Sequence, residues 1–496
     1  MSTGKKLLIF SCIIGLAYSI LFYNKNIGIS FPIFTLLSLA IYFTFLISNA
    51  HKIKVSSCWP VIPIVILSFF PFISANPLMN FFNIVFVISL FFLLNGFIKT
   101  SANRITFMTI LSSISSVFTP LAHLNEPFKE MPKRNIQKPI QPSPPEKKHT
   151  ALKILAGGII ALFVLLIFIL PLLYLADPIF GNIMLNIPRY INTALVSLRI
   201  KDIIFIILIA FIITVYSFSF IYTSFIHKRK APPSSNLYTQ PLPHNKPFTF
   251  DSIISNTILI TFNLVYVLFT VIQFTYLFSG SSSLPYGLTY AQYARRGFTE
   301  LFIISIVNFT IILLFKYFAG RNKKPSDVLS KILTSLIGVF TLVIIYSVNF
   351  RLNIYLDNYG LTGLRMFVYL VLTVESGMLL YTAYHIFRSK AHLFTAYVII
   401  FLAVFIGLNI MIPDRFIANY NINIARITES QIDVNYLSTL SADAAPAIDE
   451  LQKSGVTPAS DTYFFDRYFS RIENEIRDFT SWQEFNLSRF YAKHLF

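Results

Sequence analysis

Residues 364–387 read LRMFVYLVLTVESGMLLYTAYHIF, a stretch with Arg365 at its start and one carboxylate, Glu375, inside it. About 20 apolar residues in a helix cross the hydrocarbon core of a bilayer, and a barrel strand needs only about half as many. Helices and closed barrels alone satisfy every backbone group in lipid, so a run of this length reads as a transmembrane helix. Further runs of the same kind lie at 7–23, 27–49, 58–75, 78–98, 152–175, 203–226, 252–278, 298–318, 328–350 and 392–412. The expected fold is therefore all-α, a polytopic integral membrane protein with about eleven transmembrane helices and twelve as the alternative.

Composition agrees. Only 12% of the 496 residues are charged and 55% are hydrophobic, whereas a soluble chain carries about 25% charged residues. Such a chain lacks the polar surface to cover itself in water. The net charge of +18 sits in short clusters between apolar runs rather than on one face, the pattern of loops held on the cytoplasmic side. From Pro413 onward 12 acidic residues face 8 basic ones, so the tail is acidic and the rest strongly basic. That reversal marks a domain boundary and argues against nucleic acid as a partner. Cys12 and Cys58 both lie in or beside apolar runs and make neither a disulfide framework nor a thiolate metal site. Lys5 and Lys6 precede an apolar run that continues to about Tyr23 without a clear cleavage site, which reads as an uncleaved first helix.

Loop charge decides the topology. The doubtful segment is 103–121 (NRITFMTILSSISSVFTPL), too rich in Ser and Thr for a good lipid-facing span. With eleven spans and a cytoplasmic N-terminus, 21 basic residues fall in cytoplasmic loops and 8 in exterior loops ahead of the tail. Making 103–121 a span would put Lys5, Lys6, Lys52, Lys54, Lys99 and Arg104 outside, against the positive-inside rule. The segment is expected to be re-entrant or interfacial.

Four regions follow: an N-terminal transmembrane part at 1–121, a basic Pro-rich linker at 122–150, a seven-span part at 151–412, and an exterior helical domain at 413–496. The linker and the similar loop 227–250 are extended in composition. Their basic residues either bind anionic lipid head groups or simply set topology. In the tail, Ile432, Val434, Leu437, Leu440, Ala444, Ala447, Ile448 and Leu451 form an apolar stripe at three-to-four spacing. Pro446 should divide that stretch into two short helices near Ala445. A further helical face holds Phe465, Tyr468, Phe469, Ile472, Ile476 and Phe479.

Charged groups deep in a membrane are functional candidates. Glu375 lies ten residues past Arg365, about 15 Å deeper along a helix. A carboxyl group buried there tends to be neutral unless paired. It is either a proton or cation site, with Asn308, Asn349, Gln273 or Asn263 as conceivable partners, or a structural residue bonded to a neighbouring helix. Two exterior loops are rich in arginine and aromatic residues. LPYGLTYAQYARRGFTE (284–300) carries Tyr286, Tyr290, Tyr293, Arg295, Arg296 and Glu300; NFRLNIYLDNYGLTGLR (349–365) carries Arg351, Tyr355, Asp357, Tyr359 and Arg365. Arginine suits bidentate contact with phosphate or carboxylate, so these loops either bind an acidic group or lock the fold through Glu300, Asp357 and the tail. His385 and His392, without nearby carboxylates, make a poor metal site. No phosphate-binding glycine loop, dinucleotide fingerprint, HExxH or CxxC occurs; no catalytic residue, metal or cofactor is assigned. Asn486-Leu487-Ser488 matches a glycosylation sequon, a pattern common by chance.

Three stretches, TYAQYARRGFTEL (289–301), RLNIYLDNYGLTGLR (351–365) and NYNINIARITESQIDVNYLSTLSADAAPAIDEL (419–451), resemble in order the uncharacterised bacterial polytopic membrane proteins grouped as domains of unknown function 4153 and 4173. The resemblance covers roughly residues 250–451. It implies a bacterial cytoplasmic membrane and transfers no activity. Three functions remain in view: transport or lipid handling, a non-catalytic sensor or assembly partner whose tail binds a cell-envelope protein, and a membrane enzyme on a lipid-linked substrate. The last is weakest, because no nucleophile stands beside a base.

Overall fold

The structure is a computed structural model that describes residues 3–100, 102, 104–130, 200–226, 252–277, 298–318, 325–387, 392–428, 432–454, 462–477 and 481–495. Among them every regular element is helical. The first six helices are α1 (Thr3–Phe22), α2 (Ser30–Ser48), α3 (Val61–Ile73), α4 (Pro77–Thr100), α5 (Phe107–Phe118) and α6 (Glu126–Glu130). Next come α7 (Ile200–Ile221), α8 (Ser252–Leu277), α9 (Phe298–Phe318), α10 (Pro325–Tyr359), α11 (Gly363–Phe387) and α12 (Leu393–Ile410). The tail adds α13 (Pro413–Thr428), α14 (Val434–Leu437), α15 (Ala445–Ser454), α16 (Thr462–Arg477) and α17 (Leu487–Lys493).

Among the described residues, nine helical stretches are long and apolar enough to cross a membrane. The expected span at 152–175 lies outside the described residues. The run at 298–318 forms α9, 21 residues long, with Glu300 in its first turn and Lys316 in its last. In the doubtful segment, α5 is 12 residues long; it rises about 18 Å, too short to cross alone.

The chain forms two compact units. The first comprises residues 1–25, 33–52 and 112–229. Here α1 lies along α7. Ser11, Gly15 and Ser19 recur every fourth residue, with both serines buried, and a Cβ on Gly15 would run into Thr214 and the Ala210 carbonyl. Small residues at this spacing let helix backbones approach in lipid, where van der Waals contact drives association. The Tyr23 hydroxyl donates to Asp202 at 3.0 Å, closing one end of the pair. Tyr216 and Ser219 of α7 donate to the carbonyls of Val117 and His123, each at 3.1 Å, and hold the end of α5 and the turn after it.

The second unit comprises residues 26–32, 53–111 and 230–496. α10 packs against α8, α9 and α11; α11 also contacts α12, and α3 pairs with α4. Leu259, Ile312, Ile337, Ile344, Val348 and Leu372 are buried between these helices. Aromatic rings fill other gaps: Phe86 of α4 meets Phe401 and Phe405 of α12 edge-on at 5.1 and 4.8 Å. Asn83 donates to Asn409 across the same pair at 2.8 Å.

α10 is longer than its apolar run. Its 35 residues rise about 52 Å, against a hydrocarbon core of about 30 Å. The expected exterior loop at 349–365 is therefore helix as far as Tyr359, and the connection to α11 shrinks to three residues. A helix leaving lipid needs no apolar side chains, only a stop. Gly360 supplies it with φ +68°, the left-handed conformation that ends helices and that glycine adopts without penalty.

In the tail, Leu437, Leu440, Ala444, Ala447, Ile448 and Leu451 are buried. The break expected near Ala445 takes the form of a 3-10 turn, Ala442–Ala444, running directly into α15. Pro446 sits in the first turn of α15, where its missing N–H leaves no bond unmade. Phe464, Phe465, Tyr468 and Ile472 are buried on one face of α16.

Candidate functional site at the tail end of the second unit

Arg295 and Arg296, with Tyr286, Tyr290 and Tyr293, lie outside the described residues. Glu300 is exposed at the start of α9. Arg351 is buried on α10. Asp357 lies in the last turns of α10, and its side chain is outside the described ones. Tyr359 is exposed and its ring lies 4.7 Å from that of Tyr355, tilted by 36°. Arg365 has a defined structural role. Its guanidinium lies 4.4 Å from the centre of the Tyr355 ring and donates to the carbonyls of Tyr359 and Gly360. It thus satisfies the orphan carbonyls at the end of α10 and places a cation at the negative pole of that helix. Among the described residues, the contacts of this arginine are to backbone carbonyls and the Tyr355 ring; the Asp357 side chain, an expected partner, lies outside them.

Glu375 is 6% exposed, and its Oε2 accepts the Ser305 hydroxyl of α9 at 3.0 Å. Its Oε1 has no hydrogen-bond partner among the described residues. The amides considered as partners are used elsewhere. Asn308 takes the Tyr266 hydroxyl, Asn349 donates to the Ile345 carbonyl, and Asn263 donates to the carbonyls of Leu259 and Leu333. The Gln273 side chain is outside the described ones. Glu375 belongs to a string of polar contacts along α11. Tyr369 donates to Asn353, Glu375 meets Ser305, Thr382 bonds Tyr397, and His385 contacts Lys316. Polar pairs of this kind join helices in lipid, where no water competes for them.

Sequence reasoning missed the polar collar where the tail meets the helix ends. The Asn421 side chain takes the Leu361 N–H at 2.6 Å and donates to the Leu361 carbonyl at 2.9 Å. Tyr436 accepts the Gly363 N–H at 2.8 Å. Asp414 accepts from the Asn76 amide at 2.8 Å and the Ser441 N–H at 3.0 Å. Asp443 accepts the Ser74 hydroxyl at 2.5 Å and the Ala75 N–H at 2.7 Å. Burial pushes the Asp443 carboxyl above its usual range, although Ala75, Ser488 and Ser74 each donate to it; burial likewise raises Tyr436. Asn486 donates to the carbonyls of Pro71 and Ser74 at 3.0 and 2.9 Å. The asparagine of the sequon is thus 3% exposed and fully engaged. The sequence carries no local signal for it: 351–365 and 419–451 both belong to the stretches that resemble the family, but only the folded chain brings them together.

Beside the collar, a cavity of about 600 Å³ opens between α10, α11, α12 and α13. Leu356, Leu361, Met366, Tyr369, Gly407 and Tyr420 line it, and Thr373 is its furthest residue along α11. Met366 to Thr373 lie roughly 5–15 Å along α11 from its first residue. A Cβ on Gly407 would meet nothing within 4 Å, so the wall there is open. Glu375 is not in this wall; it meets α9 instead. No group of three or more His, Cys, Asp or Glu able to hold a metal occurs among the described residues.

Nine long apolar helices among the described residues, with polar pairs joining helices inside each unit, define a multi-pass α-helical membrane protein. The sequence pattern of the family described as "Domain of unknown function (DUF4153)" matches residues 61–451, and the chain belongs to that family. No curated protein and no solved structure matches it.

Proposed function

We propose that this protein handles a membrane lipid, in a transport or lipid-transfer role, in the bacterial cytoplasmic membrane, with its N-terminus inside and its tail outside. The observation that carries the reading is the cavity between α10, α11, α12 and α13. It is walled mainly by apolar side chains and starts at the helix ends beneath the collar. It then runs along α11 as far as Thr373. Pockets that hold apolar ligands are concave, largely apolar and supplied with a few polar groups. Here Asn353, Tyr369 and Thr373 supply them. Glu375, buried outside the cavity wall, is the candidate proton or cation site, and Arg295, Arg296 and Arg351 are candidates for an acidic head group. The basic loops on the opposite side are suited to anionic lipid.

The test is photolabelling of the protein in nanodiscs by a phospholipid carrying a diazirine in its acyl chain. Gly407→Phe fills the open wall, and labelled peptides from α11 and α12 should fall several-fold while total helix content is unchanged. Labelling of those peptides that ignores the substitution would remove the lipid reading.

A second reading has its own observation. The exposed face of α16 carries a depression of about 570 Å³ lined by Tyr463, Asp466, Arg467, Arg471, Asn474 and Glu475. That mixed-charge surface suits a cell-envelope protein partner, and it makes the tail a docking module.

A further inference from the structure

We propose that residues 481–495 form a membrane-surface anchor whose aromatic side chains sit among lipid head groups at the level where α3 ends. Four large aromatics in this short stretch are open to their surroundings: Trp482 is 60% exposed, Phe485 40%, Phe490 42% and Tyr491 58%. Single exposed apolar residues are ordinary, but a contiguous group marks an interaction surface.

Its depth is set by hydrogen bonds rather than by a flexible tether. Asn486 is bonded to the carbonyls of Pro71 and Ser74, at the last turn of α3. The Phe485 ring lies 5.9 Å from the ring of Phe72. The Ile29 N–H donates to the Phe485 carbonyl at 2.9 Å, and the Asn26 N–H to Glu484 at 3.0 Å. Residues so closely tied to the end of a transmembrane helix lie within a few side-chain lengths of the head-group layer. Trp and Tyr concentrate in that layer because an apolar ring and a polar edge are both accommodated there.

Charge selects lipid over a second protein. The tail as a whole is acidic, yet this stretch carries Arg489 and Lys493 against one acid, Glu484, which is buried against Asn26. Arg489 is half-buried, so the exposed charge of the stretch is Lys493; exposed aromatics beside a basic group, with no exposed acid among residues 481–495, are a combination that binds anionic membrane surfaces.

The chain has two tryptophans, Trp59 and Trp482, so fluorescence reads the proposal directly. The full chain is reconstituted in vesicles of phosphatidylcholine and phosphatidylglycerol whose acyl chains are brominated either near the head group or near the chain end. Emission of Trp482 is taken from Trp59→Phe, and independently from wild type minus Trp482→Phe in case the first variant folds poorly. Stronger quenching by the shallow bromines than by the deep ones, with iodide in the buffer less effective than on free indole, is the expected result. Full access to iodide without bromine quenching would place Trp482 in water and overturn the proposal. Protection from both quenchers would overturn it too, because a protein contact would then cover the site.

Discussion

Replacing Gly28 with alanine tests how the end of the chain is held. A Cβ at this position would stand 2.5 Å from the Glu484 carbonyl carbon and 2.6 Å from the carbonyl oxygens of Glu484 and Phe485. These are backbone atoms, so no side-chain rotation relieves the clash and residues 484–485 must move away. Two hydrogen bonds go with them, Ile29 N–H to Phe485 at 2.9 Å and Asn26 N–H to the Glu484 carboxylate at 3.0 Å. A neutral bond is worth about 1 kcal/mol and one to a charged group about 1.5–3 kcal/mol. Gly28→Ala should therefore weaken local docking by roughly 3 kcal/mol, on the order of a hundredfold rise in the undocked population. Hydrogen exchange followed by mass spectrometry reads this directly. Peptides from 481–495 should lose about two decades of protection, while those from α10 and α11 keep theirs. Unchanged protection of 481–495 would refute the close approach on which the reasoning rests.

Asp443→Asn should remove a pH dependence from tail docking. Burial raises the Asp443 carboxyl above its ordinary 3.8, so the docked state keeps a proton that the undocked tail has lost. Docking is then strongest below about pH 3.8 and weakens as pH rises through the docked value; exchange rates of α15 and α17 corrected for intrinsic pH dependence check the sign. Gly15→Leu should separate α1 from α7, read as lost disulfide cross-linking between cysteines placed at Tyr23 and Asp202; retained cross-linking would contradict the packing. Glu375→Gln keeps an acceptor for Ser305 and should cost less than about 1 kcal/mol, whereas Ser305→Ala leaves the buried carboxyl without its donor and should cost about 1–3 kcal/mol. The opposite order in a bicelle unfolding assay would break the assignment of that pair.

The transmembrane helices were legible because lipid imposes a single requirement, length of apolar sequence, that needs no partner. Glu375 was legible for the same reason, but its partner was not. Ser305 is a small hydroxyl among apolar residues, and only the packing of α9 on α11 selects it over the amides nearby. Polar residues from Asn349 onward read in sequence as a loop, which puts the end of α10 about ten residues too early. They mark the exit from hydrocarbon, and Gly360 marks the end of the helix. Ser11, Gly15 and Ser19 form a close-packing stripe that a hydropathy profile does not single out, because spacing rather than apolarity defines it. The collar was not readable at all. Asp443 and Asn486 look like surface residues until Ser74, Ala75 and Pro71, some four hundred positions earlier in the chain, are brought against them.

The collar has two layers, and they differ in relation to the family. Asn421 with Leu361, Tyr436 with Gly363, and Asp443 with Ser74 and Ala75 all fall inside the matched residues 61–451. They surround the helix ends beside the cavity. The second layer ties Glu484 and Phe485 to residues 26–29, and these segments lie outside the match. If the cavity is the working part, disturbing the first layer through Asn421→Ala alters lipid labelling of α11, because the 360–363 connection forms one edge of the opening. Disturbing the second layer through Gly28→Ala frees the aromatic segment and leaves labelling of α11 intact. Opposite responses of the two variants would separate the proposed binding role of the cavity from the proposed anchoring role of residues 481–495.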